Sequence, residues 1–471
     1  MIAELKPYAD YKESGLPWLG RVPAHWEVRR IKTALRELDR RSSAGLEPLL
    51  SLRMQAGLVD HHALGGRPIP PSALIGYKRV LPGEIVMNRM RASSGLFAAA
   101  TSDGLVSPDY AIFRPVDQLN VAYAVQLFQT PAMTAVFRLE STGLGTGESG
   151  FLRLYSDQFG RLAIPIPPAA EQATIMRFLD WANGRLERAI RAKRKVIALL
   201  TEQKQAVIRH AVTRGLDSDA PLKPTGIPWL GNIPQHWVLW RISRFARVGN
   251  GSTPSRGKPI YWSGGTYPWL NSSQVNRQFI DSANQFITRT ALRECHLPRV
   301  PPGSVLVAIT GQGKTRGMSA ILGMEATINQ HIAFITPRMP IASAEYLHLA
   351  LTAAYRQLRA ASEDAGSTKG AITCEDLKRF KLAIPPAVEQ AQLVRHIQVV
   401  TSRLTNTIVR LEREIEFLRE YRTRLVADVV TGKLDVREAS TRLPDEATPD
   451  AVGDLADDAD ESELADEEAA A

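Results

Sequence analysis

The chain contains its own likeness, and this limits what it can fold into more than any other feature. Residues 14–26 read SGLPWLGRVPAHW and residues 225–237 read TGIPWLGNIPQHW. Eight of these 13 positions are identical: Gly15/Gly226, Pro17/Pro228, Trp18/Trp229, Leu19/Leu230, Gly20/Gly231, Pro23/Pro234, His25/His236 and Trp26/Trp237. A second echo pairs LAIPIPPAAEQ (162–172) with LAIPPAVEQ (382–390), and a third pairs AVTRGLD (211–217) with VVTGKLD (429–435). Chance does not supply three echoes in one order, so the chain is a duplication and its architecture must be built twice. The offset is 211 at the first echo and 218 at the later ones, which makes the second variable region seven residues longer.

Each half follows the same grammar. A Trp/Pro/Gly-rich segment leads into roughly 140 residues with short strand-like runs: Glu84–Asn88 and Tyr110–Phe113 in the first half, Ser304–Ile309 and His331–Thr336 in the second. Proline pairs, Pro167–Pro168 and Pro385–Pro386, stop the sheet pattern, and a long helix is predicted over about 170–213 and 387–430. In the second helix Ile397, Leu404, Leu411, Leu418 and Leu425 recur every seven residues, with Val400, Ile408 and Ile415 in the seam. In the first, Leu179, Leu186, Leu200 and Val207 keep that period, with Ile175, Ala182, Ala189, Ile190 and Ile197 beside them and Lys193 interrupting the stripe. Glu171 and Glu389 lie in the first turn, where the helix dipole favours a carboxylate. Each helix is about 43 residues, roughly 65 Å long. Two equal heptad helices in one chain most simply pair with each other; the alternative is that each packs on its own globular region.

Charge is unevenly spread. Twelve of the 49 acidic residues fall between Asp445 and Glu468, and no Lys or Arg follows Arg442. Residues 1–442 therefore carry 58 basic against 37 acidic side chains. Such a body suits a polyanionic partner, because Lys and Arg that neutralise phosphates release condensed counterions; a basic surface kept for solubility would look the same. The acidic tail has too few apolar residues to fold and is expected to be disordered, screening the basic body or aiding solubility. Cys295 and Cys374 are the only cysteines, which argues against a disulfide framework or a structural zinc. No apolar run approaches the ~20 residues of a membrane span. The opening MIAELKPYADYKESG lacks the apolar stretch of a secretory leader, so a cytoplasmic chain without membrane contact is expected.

No catalytic centre is legible. The segment GQGKT (311–315) invites a nucleotide-binding reading, but Ala308 stands where the first glycine of a P-loop belongs. A loop bearing Gln312, Lys314, Thr315 and Arg316 could instead contact phosphates or base edges. The first half places Asn88, Arg89, Arg91, Ser93 and Ser94 at a similar point after its own strand. Any one of these residues could equally be part of a solvated polar turn. An adenine methyltransferase would need an Asn/Asp-Pro-Pro-aromatic motif and a Gly-rich methyl-donor loop; neither is written here. A nuclease would want an acidic constellation for Mg²⁺ on a strand, and none is evident. His25 and His236 are expected to pack or cap a turn. Trp18, Trp26, Trp229 and Trp237 could stack on bases, but their spacing among Gly and Pro better suits a structural clasp.

These residues resemble a known family, the specificity subunits of type I restriction–modification systems. The resemblance is carried by YKESGLPWLGRVPAHW and TGIPWLGNIPQHW, and by the boundary motifs LAIPIPPAAEQ and LAIPPAVEQ with their long helices. In the second half it is also carried by GSTPS (251–255), YW (261–262), PWLNSSQVN (268–276), INQHIAFITP (328–337) and GSTKGAIT (366–373). The first half matches less well: SPDYAIFRP (107–115) stands where INQHIAFITP stands, and TGLGTGESGFLRL (142–154) is a loose GSTKGAIT. The similarity covers about residues 8–436.

The resemblance implies an α+β fold. Two mixed α/β target recognition domains would be separated by two long antiparallel coiled-coil helices, in a pseudo-twofold, circular arrangement. The N-terminus would lie near the C-terminal end of the second long helix. The expected boundaries are a clasp segment at 1–26, a recognition domain at 27–167, a spacer helix at 168–215, the repeated clasp at 216–237, a second recognition domain at 238–386, a second spacer helix at 387–435 and the tail at 436–471. Each recognition domain would read one half of an asymmetric bipartite double-stranded DNA site. For both to meet one face of the duplex, their centres must match its repeat of ~34–36 Å. Thr310 and the Asn271, Ser272, Ser273 and Gln274 of PWLNSSQVN join the residues above as candidates for DNA contact.

The resemblance further implies that the chain is not an enzyme and binds no cofactor itself. Two modification subunits would carry S-adenosylmethionine and methylate adenine, and restriction subunits would supply ATP- and Mg-dependent translocation and cleavage. Modification subunits would dock on the Trp-rich segments (Trp18, Trp26, Trp229, Trp237) and the long helices (Leu179, Leu186, Leu404, Leu411, Leu418). A two-domain DNA-binding regulator, the specificity subunit of a methylation-only system, or a fused enzyme with an unseen motif are the rival readings.

Overall fold

The two heptad stretches form continuous helices, Ala169–Arg214 and Ala387–Val430, of 46 and 44 residues. The computed structural model describes residues 5–54, 56–65, 68–143, 152–311, 314–363 and 371–444. The acidic tail from residue 445 and the Gly-rich parts of TGLGTGESGFLRL (144–151) and GSTKGAIT (366–370) lie outside the described residues. The described chain forms two compact units, one of residues up to Ala192 with those from Glu414 onward, the other Lys193–Arg413.

Within each unit the long helices pair, and they do so antiparallel. In the first unit the opening turns of the first helix (Ile175, Phe178, Leu179, Ala182) share a core with the closing turns of the second (Leu425, Val429, Val430). In the second unit the closing turns of the first helix (Ile208, Ala211, Val212) share a core with the opening turns of the second (Leu393, Ile397). Leu179, Leu186, Ile190, Ile397, Ile415 and Leu425 are buried, whereas Lys193, Leu404, Leu411 and Leu418 are half-buried. That gradation fits a two-helix seam, which has no third element to cover it. Polar cross-links add to the pairing: Arg422 reaches Glu187 at 3.2 Å in the first unit, and Lys204 Nζ donates to Thr405 Oγ1 at 3.0 Å in the second.

The globular body of the first unit is an antiparallel four-stranded sheet in the order Leu35–Leu38, Ala111–Pro115, Ile85–Met87, Phe97–Ala99. The second unit repeats this order with Ala246–Asn250, Ile332–Pro337, Val305–Ala308 and Ser319–Leu322, then adds Phe279–Ile280 as a parallel edge strand. The apolar runs that marked these strands in the sequence are buried on both faces in the centre, as Ile85–Met87 and Val305–Ala308 show. The units differ beyond the common sheet. The first carries a hairpin (Leu50–Arg53 with Gly57–Asp60) and a strand pair (Lys78–Val80 with Gly104–Val106). The second carries a three-stranded sheet of Gln285–Ile287, Tyr267–Leu270 and Thr327–Ile328.

Helices cover the sheet in both units, Val121–Phe128 and Pro131–Glu140 in the first, Ala344–Ala353 and Tyr355–Glu363 in the second. Asn120 and Ser343 cap the first of each pair by accepting from the Tyr123 and Tyr346 amides. At the base of each body the entering and leaving strands pair antiparallel: Glu27–Arg30 with Ala163–Ile166, and Val238–Arg241 with Lys381–Ile384.

Candidate nucleic-acid interface

The repeated motifs meet in space, once in each unit. In the first unit Glu171 accepts three hydrogen bonds, from Trp26 Nε1 at 3.0 Å and Tyr8 OH at 2.7 Å on Oε1, and from His25 Nε2 at 2.7 Å on Oε2. In the second unit Glu389 takes Trp237 Nε1 at 3.0 Å and His236 Nε2 at 2.8 Å. Each His-Trp pair therefore clamps the first-turn carboxylate of the following long helix, where the helix dipole already favours negative charge. The neighbouring glutamines finish the joint. Gln172 accepts from the Asn120 amide (2.7 Å) and donates to Pro167 O (2.8 Å). Gln390 accepts from the Ser343 amide (2.9 Å) and donates to Pro385 O and Ile341 O. Tyr123 and Tyr346 donate to Pro165 O and Ala383 O, and burial pushes both phenols well above their ordinary pKa.

The third echo completes each clasp. Gly215 and Gly432 end the two long helices, each with φ of +77°. A Cβ on Gly432 would stand 2.4 Å from Pro23 and 3.0 Å from Trp26, and one on Gly215 would touch Trp237 and Glu389 at 3.4 Å. Trp26 and Trp237 are thus fully buried at a junction of one helix's start with the other's end, and they do not serve as base platforms. Trp18 and Trp229 are half-buried at its rim, Trp229 stacked on Phe380. The N-terminal segment is tied in as well, since the Asp435 amide donates to Lys6 O at 2.8 Å and Tyr11 OH to Gly432 O at 3.1 Å.

The candidate contact residues lie on loops at the sheets. In the first unit Asn88 Oδ1 accepts from the Met90 and Arg91 amides, forming a turn that leads to Ala92–Ser94. Arg91 and Ser94 are exposed; Asn88 and Ser93 are half-buried. Arg89 donates to Glu37 (2.9 Å) and Ser156 (3.1 Å), so its charge is compensated within the unit. Arg89 O accepts from Leu154, and Arg153 pairs with Asp109 of SPDYAIFRP, which brings three distant loops side by side. Beneath them Lys78 is buried and donates to Tyr110 O at 2.8 Å, and burial pulls its pKa down.

In the second unit the structure joins four segments that the sequence keeps far apart. Ser252 N donates to Ile328 O, and Thr253 to Gln330 Oε1 at 2.6 Å. Asn329 N donates to Leu270 O, next to Asn271, and Thr310 Oγ1 bonds His331 Nδ1 at 2.7 Å. Asn271 caps the turn Ser272–Gln274 through the Ser273 amide. Ser273 and Lys314 are exposed, Asn271, Ser272, Thr310 and Thr315 half-buried, and Gln274 and Arg316 buried. Gln312 lies outside the described residues. Lys314 O and Arg316 O accept from Tyr355 and Arg359, which fasten this loop to the covering helix. Among the described residues no group of three or more His, Cys, Asp or Glu could hold a metal ion, and no helix is long and apolar enough to cross a membrane.

Residues 234–416 match the family model described as Type I restriction modification DNA specificity domain. The chain is 29% identical over 182 residues to the Type I restriction enzyme EcoR124I/EcoR124II specificity subunit of Escherichia coli, covering 38% of this chain and 45% of that protein. It is 28% identical over 194 residues to the Type I restriction enzyme MjaIX specificity subunit of Methanocaldococcus jannaschii, covering 41% and 43%. The matched span is thus under half the length of either relative. A chain from a solved structure on complex assembly and conformational transition of the type I R-M system shares the fold with a TM-score of 0.63 at 15% identity, over 88% of this chain and 99% of that one. Family model, relatives and fold agree with the resemblance read from the repeated motifs.

Proposed function

We propose that this chain, recognised by its domain and relatives as akin to type I restriction–modification specificity subunits, is the address-reading subunit of such a complex. Each unit reads one half of an asymmetric bipartite site on double-stranded DNA. The loops described above face base edges and phosphates, and the basic body supplies the sequence-independent attraction. Two methyltransferase subunits carrying S-adenosylmethionine modify adenine at that site, and restriction subunits using ATP and Mg²⁺ cut elsewhere-unmodified DNA. The chain itself performs no chemistry and works in the cytoplasm, where the chromosome is. A methylation-only complex would use the same reader without the restriction subunits.

One observation carries this reading: a single chain builds the same sheet order and the same clasp twice, each beside antiparallel paired segments of the long helices. A device that reads two short sequences at set separation needs two readers and a stiff spacer. The test is a genome-wide map of methylated adenine with and without the gene, in which deletion removes one bipartite motif. Replacing residues 238–381 by those of a relative then changes one half of the motif alone. A change in both halves, or in the gap only, overturns the assignment.

A further inference from the structure

The second unit holds an exposed arginine that the sequence motifs do not single out. Arg256, in the loop after Ala246–Asn250, lays its guanidinium 3.8 Å from the ring centre of Trp262 and 5.0 Å from that of Trp269. The two indoles meet edge to face at 5.3 Å. Their N–H groups donate to Ser255 O and Ser252 O, which fastens the backbone of the same loop over the rings that receive its side chain. Arg256 Nη2 donates to Gln285 Oε1 at 2.7 Å, and Gln285 stands directly across from Trp269 in the sheet. The guanidinium is therefore fixed by two rings and one amide.

Its charge is left uncompensated. Arg89, Arg114 and Arg153 meet carboxylates (Glu37, Glu84 and Asp109), whereas Arg244, Arg247 and Arg299 each lie over one aromatic ring; Arg256 differs from these three in meeting two rings and a side-chain amide. Among the described residues no carboxylate pairs with Arg256. Of its five N–H donors one has a side-chain acceptor. Ordering an arginine in this way costs side-chain entropy, which a tight turn alone does not need. The loop is also one of the four that converge here, tied through Ser252 to Ile328 and through Thr253 to Gln330.

We propose that Arg256 is a specificity-determining residue that reads a guanine in the half-site of the second unit, an inference that rests on the DNA-reading function above. A planar fork held rigid matches the O6 and N7 acceptors of guanine in two parallel bonds; the same fork can grip a phosphate, and only the guanine contact makes the methylated motif depend on the residue.

The experiment places Arg256→Lys, Arg256→Ala and Gln285→Ala at the chromosomal gene and maps methylated adenine. Wild type discriminates one G·C pair by roughly 5- to 150-fold, the range for a good bidentate contact. Arg256→Ala should abolish that discrimination, Arg256→Lys and Gln285→Ala should each keep part of it, and the other half-site should be unchanged. An unaltered motif in all three variants overturns the proposal, as does an even fall in methylation with the same motif, the mark of a phosphate or structural role. If Arg256→Ala does not fold and methylation vanishes everywhere, the Lys and Gln285 variants, which leave the indole pair intact, decide between these results. A wild-type map with no bipartite motif dependent on this gene refutes instead the reading on which the proposal rests.

Discussion

The two clasps offer a comparison that the duplication itself controls. Glu171 is buried (7% exposed) and accepts from three side chains, two of which, Trp26 and Tyr8, are themselves buried. Glu389 is 23% exposed and accepts from two, and one of these, His236, is half in solvent. In Glu171→Ala the Trp26 N–H and the Tyr8 hydroxyl lose their shared acceptor inside a dry joint, each at about 1–3 kcal/mol, so a total near 3–5 kcal/mol is expected. In Glu389→Ala only Trp237 is left buried without an acceptor, and water replaces the other bond, for about 1–3 kcal/mol. Burial, the largest of the causes that raise the Tyr8 phenol, persists in Glu171→Ala, so the hydroxyl does not escape the loss by ionising. Hydrogen exchange read peptide by peptide separates the clasps, because stability is local. Glu171→Ala should deprotect residues 8–26 and 428–436 and leave 225–237 as in wild type; Glu389→Ala should do the reverse, and less. Equal effects of the two variants, or loss of protection at 225–237 in Glu171→Ala, would refute the account of the carboxylate as the local centre of each joint.

Other outcomes follow from single residues. Gly432→Ala should cost more than Gly215→Ala: both pay for a left-handed φ, about 1 kcal/mol, but only at Gly432 does the added carbon run into Pro23, and urea melts of the two variants measure the difference. Glu84 is buried, with the partly exposed Arg40 and Arg114 on its two oxygens, so Glu84→Gln should destabilise the first unit by roughly 1–3 kcal/mol in the same melts. Burial, with Lys204 nearby, pulls His348 down to about 4. Its neutral form, bonded to Ser319 Oγ at 3.0 Å, contributes stability that is complete above the unfolded value of 6.5 and lost as pH falls toward 4. The loss is at most ~3 kcal/mol at about 1.4 kcal/mol per pH unit, and His348→Asn should flatten that stretch of the stability–pH curve for the second unit.

Much of the scaffold was legible because its signals are local. A seven-residue apolar period needs no partner to be read, and both long helices appear within a residue or two of their predicted ends. The strand runs around Ile85, Ile112, Val305 and Ile332 were equally plain, being short apolar blocks between turns. The meaning of the His-Trp motif was not, because its partner lies 145 residues away at Glu171 and 152 away at Glu389. One signal was available: the Glu-Gln pair repeats in step with His-Trp, and two motifs that duplicate together are apt to touch. The covering helices carry weaker signals: Ala344–Ala353 is buried on nearly every side and so shows no apolar stripe, and Val121–Phe128 is only eight residues long. Residue type and position after a strand, the signals that mark the candidate contact residues, say nothing of neighbours. Hence Arg316 and Gln274 prove buried and Arg89 is held by Glu37, while no local signal marks Arg256, since a ring stacked on a guanidinium is a fact of space and not of spacing.

The strand pair at the base of each reading body has a consequence for how such chains can change. Because the polypeptide enters and leaves each body through adjacent rungs of one small ladder, everything between is attached like a bulb in its socket. The seven extra residues of the second body, its additional sheet and its edge strand are all accommodated beyond that fitting, and the helix that follows is two residues shorter than its counterpart (44 against 46). Exchange of a whole body between genes would need matched sequence only at the ladder and the flanking clasp, and those are the stretches in which this chain most closely copies itself.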